Sequence, residues 1–89
     1  MVKRGKLEII KDMLSLIQAN HNLIKPTPLS RKSNLSTARF GEYLEELAEK
    51  KFVKVINLKK TKVISLTDKG FKFLEKYRTI VSFIEEFEL

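Results

Sequence analysis

Residues 25–50 read KPTPLSRKSNLSTARFGEYLEELAEK, and this stretch decides the fold because its pattern predicts two helices joined by a tight turn. Thr27 is a favourable N-cap, and Pro28 suits the first helical position because its missing N–H needs no partner there. A short helix is therefore expected over residues 28–33. Asn34 and Leu35 are expected to form the turn.

Ser36 is a favourable N-cap for a second helix. The apolar residues that follow recur at i, i+3, i+4 and i+7, a single stripe that faces a core: Phe40, Tyr43, Leu44 and Leu47. Two helices joined in this way form either a helix-turn-helix or an ordinary helical corner. In the DNA-binding form, the first turns of the second helix enter the major groove. The candidate DNA contacts there are Ser36, Thr37 and Arg39.

The later outward positions of the second helix are acidic: Glu42, Glu45, Glu46 and Glu49. Carboxylates repel phosphate, so only the N-terminal half of this helix is expected to approach DNA closely. Arg39 joins length, charge and bidentate donors in that half, which makes it the best candidate for reading a base.

The length and composition predict one small domain. The chain has 89 residues, 43% of them hydrophobic, and no run approaches the roughly 20 apolar residues that a membrane span requires. The charged N-terminus lacks the apolar stretch of a secretory signal, so a cytoplasmic protein without a membrane partner is expected. Zero cysteines exclude a disulfide framework and a thiolate metal site.

The formal net charge of +7 is distributed unevenly along the chain. Residues 1–41 carry +6 and residues 50–78 carry +8, whereas residues 42–49 carry −4 and residues 79–89 carry −3. The positive segments surround the predicted helix-turn-helix, which is where a polyanion would be held. A generally lysine-rich protein without such a partner is the alternative.

The chain begins with a basic arm over residues 1–5, where Lys3 and Arg4 could reach a phosphate. Helical periodicity starts at Lys6, so a first helix is expected over residues 6–19. Its core stripe is predicted from the spacing i, i+3, i+7 and i+10: Leu7, Ile10, Leu14 and Ile17. Asn20, His21 and Asn22 are expected to end this helix, because Asn tolerates the left-handed conformation.

Nothing in the sequence predicts an enzyme or a cofactor. His21 is the single histidine, and a zinc site would need several ligands of the right type. A paired nucleophile and base, a glycine-rich phosphate loop and a metal-ligand cluster are all missing.

Two β-branched segments, residues 52–56 and 63–66, predict a hairpin after the helix-turn-helix, and residues 23–25 could form a minimal strand before it. No glycine lies between the two segments, so a long loop over residues 57–62 is expected rather than a two-residue turn. A hairpin at this place is the wing of a winged helix, and the alternative is an exposed lysine-rich turn without a partner. The expected phosphate contacts are the basic residues of the helix-turn-helix and of the wing: Lys25, Arg31, Lys32, Lys59, Lys60 and Lys62.

The final helix is expected to begin after an N-cap at Thr67. Phe73, Tyr77, Ile80, Ile84 and Phe87 follow at spacings of four and three, the pattern of a coiled-coil seam. A second stripe is formed by Phe71, Leu74 and Val81, and one of the two stripes can pack on the domain. The distal part of this helix extends beyond the core that so small a domain can form. A homodimer is therefore predicted through six residues of the helix: Tyr77, Ile80, Val81, Phe83, Ile84 and Phe87. The alternative is a helix that folds back and covers its own domain.

Four short motifs, KLEII at 6–10, NLS at 34–36, YL at 43–44 and LTDKG at 66–70, resemble those of the small basic archaeal winged-helix proteins. That family includes dimeric chromatin proteins and many predicted transcription regulators. The resemblance covers nearly the whole chain. It implies a winged helix, DNA binding through the second helix of the motif and the wing, and dimerisation by the C-terminal helices.

Together these observations predict a mainly α fold with a small β-hairpin, divided into an arm (1–5), a winged helix-turn-helix domain (6–66) and a C-terminal dimerisation helix (67–89). The expected function is binding of double-stranded DNA as a homodimer, as a transcription regulator. A non-specific chromatin protein and a winged-helix module that binds other proteins are the alternatives, because a fold alone does not decide its function.

Overall fold

The computed structural model describes residues 5–89, so the predicted contacts of Lys3 and Arg4 lie outside the described residues. Four helices and one hairpin follow one another along that part of the chain. The elements are α1 (Lys6–Ala19), α2 (Pro26–Ser33), α3 (Thr37–Glu49), β1 (Val53–Leu58), β2 (Thr61–Leu66) and α4 (Asp68–Glu86). The predicted winged helix-turn-helix with a long final helix is confirmed.

The hydrophobic core collects side chains from every element. α1 contributes most, burying Ile9, Ile10, Met13, Leu14 and Ile17. The other elements close around this helix with Ile24, Leu29, Phe40, Leu47, Val53, Ile64, Leu66 and Leu74. The prediction that Leu7 belongs to the core was wrong: its side chain is 63% exposed, because α1 turns the face centred on Met13 and Leu14 towards the domain and Leu7 lies at the edge of that face.

α2 begins two residues earlier than predicted. Lys25, in an extended conformation, is its N-cap, and Pro26 rather than Pro28 opens the helix, so Thr27 lies inside the helix and is not a cap. The first main-chain hydrogen bond runs from the Leu29 N–H to the Lys25 carbonyl at 3.2 Å. Both prolines fit because the first N–H groups of a helix have no partner within it. Asn34 ends α2 in the left-handed conformation, as the predicted turn requires.

The wing is an antiparallel hairpin of β1 and β2 with a register from Val53–Leu66 to Leu58–Thr61. Only Lys59 and Lys60 remain between the strands, so the prediction of a long loop over residues 57–62 was wrong. Lys59 adopts a φ of 45° and supplies the left-handed residue for which a two-residue turn usually has Asn, Asp or Gly. The cross-strand pairing of the hairpin therefore continues to its tip.

A short third segment ties the wing to the helices. Ile24 exchanges two main-chain hydrogen bonds with Ile64, at 3.1 and 2.7 Å, which confirms the minimal strand. The Leu66 N–H donates to the Asn22 side-chain oxygen at 2.8 Å. His21 and Asn22 both have positive φ after the C-cap Asn20, so the predicted end of α1 is correct.

The LTDKG motif at residues 66–70 fastens α4 to the start of the wing. The Thr67 side chain accepts a hydrogen bond from the Gly70 N–H at 3.3 Å, which confirms Thr67 as the N-cap. The Thr67 hydroxyl also lies within donating distance of the carbonyl oxygens of Lys51 and Phe52. A Cβ on Gly70 would lie 2.4 Å from the Phe52 carbonyl oxygen, so this close approach of α4 requires glycine.

α4 runs as one continuous helix to Glu86, with Phe87 as its C-cap. The molecule is 49 Å long, and its radius of gyration of 13.7 Å exceeds the roughly 12 Å of a compact chain of this length. The molecule is elongated because the distal part of α4 extends beyond the core. Phe83, Ile84 and Phe87 are exposed there.

Candidate nucleic-acid interface

The N-terminal end of α3 presents a surface of small and polar residues. The Ser36 side chain accepts a hydrogen bond from the Arg39 N–H at 3.2 Å, which confirms the predicted cap and leaves the Ser36 hydroxyl hydrogen available to another acceptor. Thr37, Ala38 and Gly41 are exposed beside it. Short side chains at these positions let a partner approach the helix backbone, and the N-terminus of a helix favours anions.

Arg39 lies against the second turn of α3. Its guanidinium carbon is 5.8 Å from the centroid of the Tyr43 ring, a distance typical of a cation–π contact. The Arg39, Glu42 and Tyr43 side chains line one shallow depression together with Lys6 and Glu46. Arg39 is exposed and is supported by an aromatic ring, so its fork of donors is available to a base or a phosphate.

The acidic half of α3 is less repulsive than its sequence predicts. The Glu46 carboxylate pairs with Lys6 Nζ at 2.9 Å and with Lys50 Nζ at 3.2 Å. The hydrogen bonds from Lys6 and Lys50 lower the pKa of Glu46, and the hydrogen bond to Glu46 raises the pKa of Lys6. Glu46 is half-buried and points towards α1, whereas Glu42, Glu45 and Glu49 are exposed as predicted.

The tip of the wing forms a second basic surface. Lys59, Lys60 and Lys62 are exposed. Lys25 lines the same concavity as Lys59 and Lys60, so the structure brings the residue before α2 to the side of the wing. Leu58 lines it too and is exposed, which gives this surface an apolar component beside its cations.

The remaining predicted contacts lie apart from these two groups. Arg31 and Lys32 are exposed in the last turn of α2. Lys32 lines a separate depression between that turn and α1, next to Asp12 and Asn34. The candidate residues therefore form three neighbourhoods, one at the start of α3, one at the wing and one at the end of α2, rather than one pocket.

Two residues of this region were missed by sequence reasoning. Tyr43 was assigned to the core only, although its spacing of four from Arg39 places the two side chains together on a helix. Lys6 was predicted only as the first residue of α1. Its ion pair with Glu46 joins residues that are 40 positions apart in the sequence, and no local sequence pattern indicates such a pair.

The predicted dimer residues lie along α4, and four of the six are exposed. Tyr77 and Val81 are half-buried, Ile80 is 57% exposed and Phe87 is 58% exposed. The rings of Phe83 and Phe87 contact each other, with centroids 4.8 Å apart. These side chains form a continuous apolar surface along the distal part of α4.

Neither a metal site nor a membrane segment stands out in residues 5–89. No three acidic or histidine side chains of that part of the chain are grouped so that they could hold a metal ion. Along the same residues, no helix combines the length and the apolar character needed to cross a bilayer.

Solved structures of archaeal and viral proteins share this fold. Sso10a-2, a DNA-binding protein from Sulfolobus solfataricus, matches with a TM-score of 0.76 and 18% identity over 96% of this chain and 86% of its own. F93 from STIV, a winged-helix DNA-binding protein, matches with a TM-score of 0.75 and 18% identity over 89% and 91%. AF1382 from Archaeoglobus fulgidus matches with a TM-score of 0.71 and 22% identity over 91% of each chain.

None of the curated protein sequences matches this chain significantly. The structural neighbours confirm the resemblance to archaeal winged-helix proteins at the level of the fold. The sequence itself matches a family described as winged helix-turn-helix over residues 3–85, from the arm to the last turn of α4. The chain therefore belongs to the winged helix-turn-helix family.

Proposed function

We propose that this protein binds double-stranded DNA as a homodimer and acts as a transcription regulator. The observation that carries the proposal is the arrangement around α3: an exposed helix N-terminus with small side chains, Arg39 supported by Tyr43, and a basic wing. This arrangement suits insertion of the first turns of α3 into the major groove, with the wing along the backbone beside it.

Phosphate contacts supply most of the affinity in this proposal. Five basic side chains at the end of α2 and on the wing are exposed to a polyanion: Arg31, Lys32, Lys59, Lys60 and Lys62. Lys25 adds a sixth because it shares the concavity of the wing. Basic residues that neutralise phosphates release counterions, so the affinity must fall as salt rises.

The homodimer is proposed from the exposed apolar surface of α4. Ile80, Phe83, Ile84 and Phe87 are all at least 41% exposed. Burying each of them is worth roughly 1.5 to 3 kcal/mol, so four from each copy can exceed the cost of association. A two-fold dimer presents two copies of α3, and a spacing of one helical turn of DNA would select a pseudo-palindromic site.

A coating role on chromatin is the second candidate, and the composition of α3 favours it. Thr37, Ala38 and Gly41 are exposed and offer few base-reading groups. Exposed lysines such as those of the wing suit phosphate groups, which carry no sequence information. The same surfaces would then bind DNA with little sequence preference.

DNA binding across a salt series tests the proposal and separates the two roles. If about five phosphates are neutralised, log K against log salt should have a slope near −4 to −5. A double variant Lys59→Gln, Lys60→Gln should reduce the magnitude of the slope by about 2. The matched control is Lys51→Gln, Arg78→Gln, which removes two exposed cations outside the proposed DNA contacts and should leave the slope unchanged.

The ratio of genomic to random DNA affinity then distinguishes the roles. A regulator should prefer particular genomic fragments by about 10³-fold or more, and a coating protein should not. A slope near zero would contradict DNA binding in either form. Tight binding to another protein, insensitive to salt, would assign the fold to protein recognition instead.

A further inference from the structure

Glu42 lies at the centre of the exposed face of α3. It follows the buried Phe40 by two positions, which turns its side chain by about 200° around the helix axis, away from the core. Ala38 precedes Phe40 by two positions and lies on the same outer face, about one turn before Glu42. α3 begins at Thr37 and has 13 residues, so Glu42 belongs to the half of the helix that would enter the major groove.

The carboxylate of Glu42 has different surroundings from that of Glu46, which follows one turn later. Glu46 is half-buried, and it is held by Lys6 Nζ at 2.9 Å and by Lys50 Nζ at 3.2 Å. Lys6 lines the same shallow depression as Glu42, but its ammonium group is engaged by Glu46. Glu42 is exposed, and a carboxylate only accepts hydrogen bonds. A partner that covers Glu42 therefore has to supply a donor.

Most base edges of the major groove present an acceptor to a carboxylate. Guanine offers only the acceptors O6 and N7, thymine offers O4 beside a methyl group, and adenine has the acceptor N7 beside its N6 donor. Cytosine offers its N4 amino group as a donor and no acceptor. A carboxylate that loses water without gaining a donor is strongly unfavourable. Cytosine is thus the base that suits a glutamate at this position.

Arg39 lies beside Glu42 and suits the complementary base. The two side chains line the same depression, and the Arg39 guanidinium rests on the Tyr43 ring, 5.8 Å from its centroid. Arginine pairs with guanine O6 and N7 through two hydrogen bonds. Three residues rise about 4.5 Å along a helix, and successive base pairs of DNA are about 3.4 Å apart. Arg39 and Glu42 can therefore address one base pair or two neighbouring ones.

We infer that Glu42 is a specificity-determining residue, which accepts a hydrogen bond from the N4 amino group of a cytosine next to the guanine that Arg39 reads. The inference rests on the proposed DNA binding and adds to it the base pairs that α3 selects. The carboxylate acts mainly against other sequences, where it meets acceptors and phosphates without a donor. A protein that coats DNA without preference would bind more tightly without it, so this role of Glu42 belongs to the regulator.

Selection from a library of randomised duplexes reads out the bases. The intact protein should enrich sites in which a guanine and a cytosine occupy the same or neighbouring base pairs. Glu42→Gln keeps the size of the side chain and replaces its carboxylate by an amide, which pairs with adenine N6 and N7. This variant should shift the preference at the cytosine position towards adenine. Arg39→Ala should lose the preference for guanine and keep that for cytosine.

Affinities for the selected site and for random DNA give the matched measurement. Glu42→Ala should bind random DNA about twofold more tightly at low salt, because one charge that repels phosphate is removed. The ratio of selected to random affinity should fall by about tenfold. Glu49→Ala is the control: it removes the same charge from the same exposed face, about 10 Å farther along the helix, and should leave the ratio unchanged.

The outcomes separate this inference from the proposed DNA binding. An unchanged base preference in Glu42→Gln would overturn the inference. Weaker binding of Glu42→Ala to both DNAs would also overturn it, because Glu42 would then orient Arg39 instead of reading a base. Salt-dependent binding without any enriched sequence would overturn it too, while DNA binding would stand in its coating form. Binding of the intact protein that does not respond to salt would contradict the proposed DNA binding itself.

Discussion

α1 and α4 are both amphipathic helices, yet they bury their apolar residues to very different extents. α1 has seven large apolar residues in 14, and five of them are buried in the core. α4 has eight large apolar or aromatic residues in 19, and only Leu74 among them is buried. The amount of apolar surface therefore does not tell which helix builds the core. α1 is surrounded by the other elements, whereas α4 has its distal part, with Phe83, Ile84 and Phe87, exposed outside the core.

This difference divides the molecule into surfaces with separate tasks. In our proposal, α1 builds the folded core, the distal part of α4 serves association, and the exposed start of α3 contacts DNA. A change on one surface should then leave the structure of the other two intact, although loss of the dimer also weakens DNA binding because it separates the two copies of α3. The following variants test that separation.

The largest effect is expected for Ile84→Glu on α4. Because each dimer would lose two buried isoleucines and gain two buried carboxylates, the dissociation constant should rise by about a hundredfold or more. Sedimentation equilibrium should give twice the chain mass for the intact protein and one chain mass for the variant, which should also bind DNA more weakly. Ser82→Glu adds the same charge to an exposed site outside the seam and should not dissociate the dimer. Equal effects of the two variants would contradict the seam.

Leu14→Ala on α1 should affect folding rather than association. Leu14 is 0% exposed, and removing a buried leucine side chain costs about 2 to 5 kcal/mol in the free energy of unfolding. Urea denaturation in the Ile84→Glu background measures this without a contribution from the dimer. Leu7→Ala in the same background is the control on the same helix and should change the unfolding free energy by about 0.5 kcal/mol or less. A similar loss for both leucines would contradict the assignment of Leu7 to the surface.

Arg39→Ala should affect DNA binding alone. The loss should be about 1 to 3 kcal/mol on a preferred site and smaller on random DNA, because a base contact is lost only where the base is present. Titration of labelled duplexes measures both, and Arg78→Ala on α4 is the matched control. Equal losses on the two DNAs would reassign Arg39 to the phosphate backbone. No loss on either would remove Arg39 from the interface.

Lys6→Gln should give the smallest effect, through the pair that joins α1 to α3. Glu46 has a lowered pKa in the folded protein, so its carboxylate stabilises the fold. This stabilisation is fully present above the ordinary carboxyl pKa of about 4.5 and is lost as pH falls through the lowered value. Lys6 has a raised pKa in the folded protein, so the stabilisation that its ammonium group gives to the fold is present at neutral pH. It is lost only as pH rises beyond the ordinary lysine pKa of about 10.5. The melting temperature of Lys6→Gln should therefore lie slightly below that of the intact protein at pH 7 and match it at strongly acidic pH.

A constant difference in melting temperature across that pH range would show that Lys6 acts without Glu46. Gln18→Ala, an exposed change at the other end of α1, gives the background effect of a surface substitution on this helix.

Much of the fold followed from local sequence signals. The bounds of α1, the caps Ser36 and Thr67 and the turn at Asn34 were all predicted correctly. Helical periodicity and capping depend on neighbours within four residues, so they are visible in the sequence. The candidate DNA residues came from the same signals, and their roles stay predictions.

Only the tertiary structure decided the features that join distant residues. The two-residue turn at Lys59 and Lys60 depends on strand pairing, which holds a lysine at positive φ. The pairing of Glu46 with Lys6 depends on how α1 packs against α3. The sequence by itself determined the helices, the hairpin and the uneven charge, because these are properties of short segments. The packing of the elements decided which apolar faces are covered, because burial of a side chain depends on what lies opposite it in space. No element covers Leu7 or the end of α4, so these apolar residues are exposed.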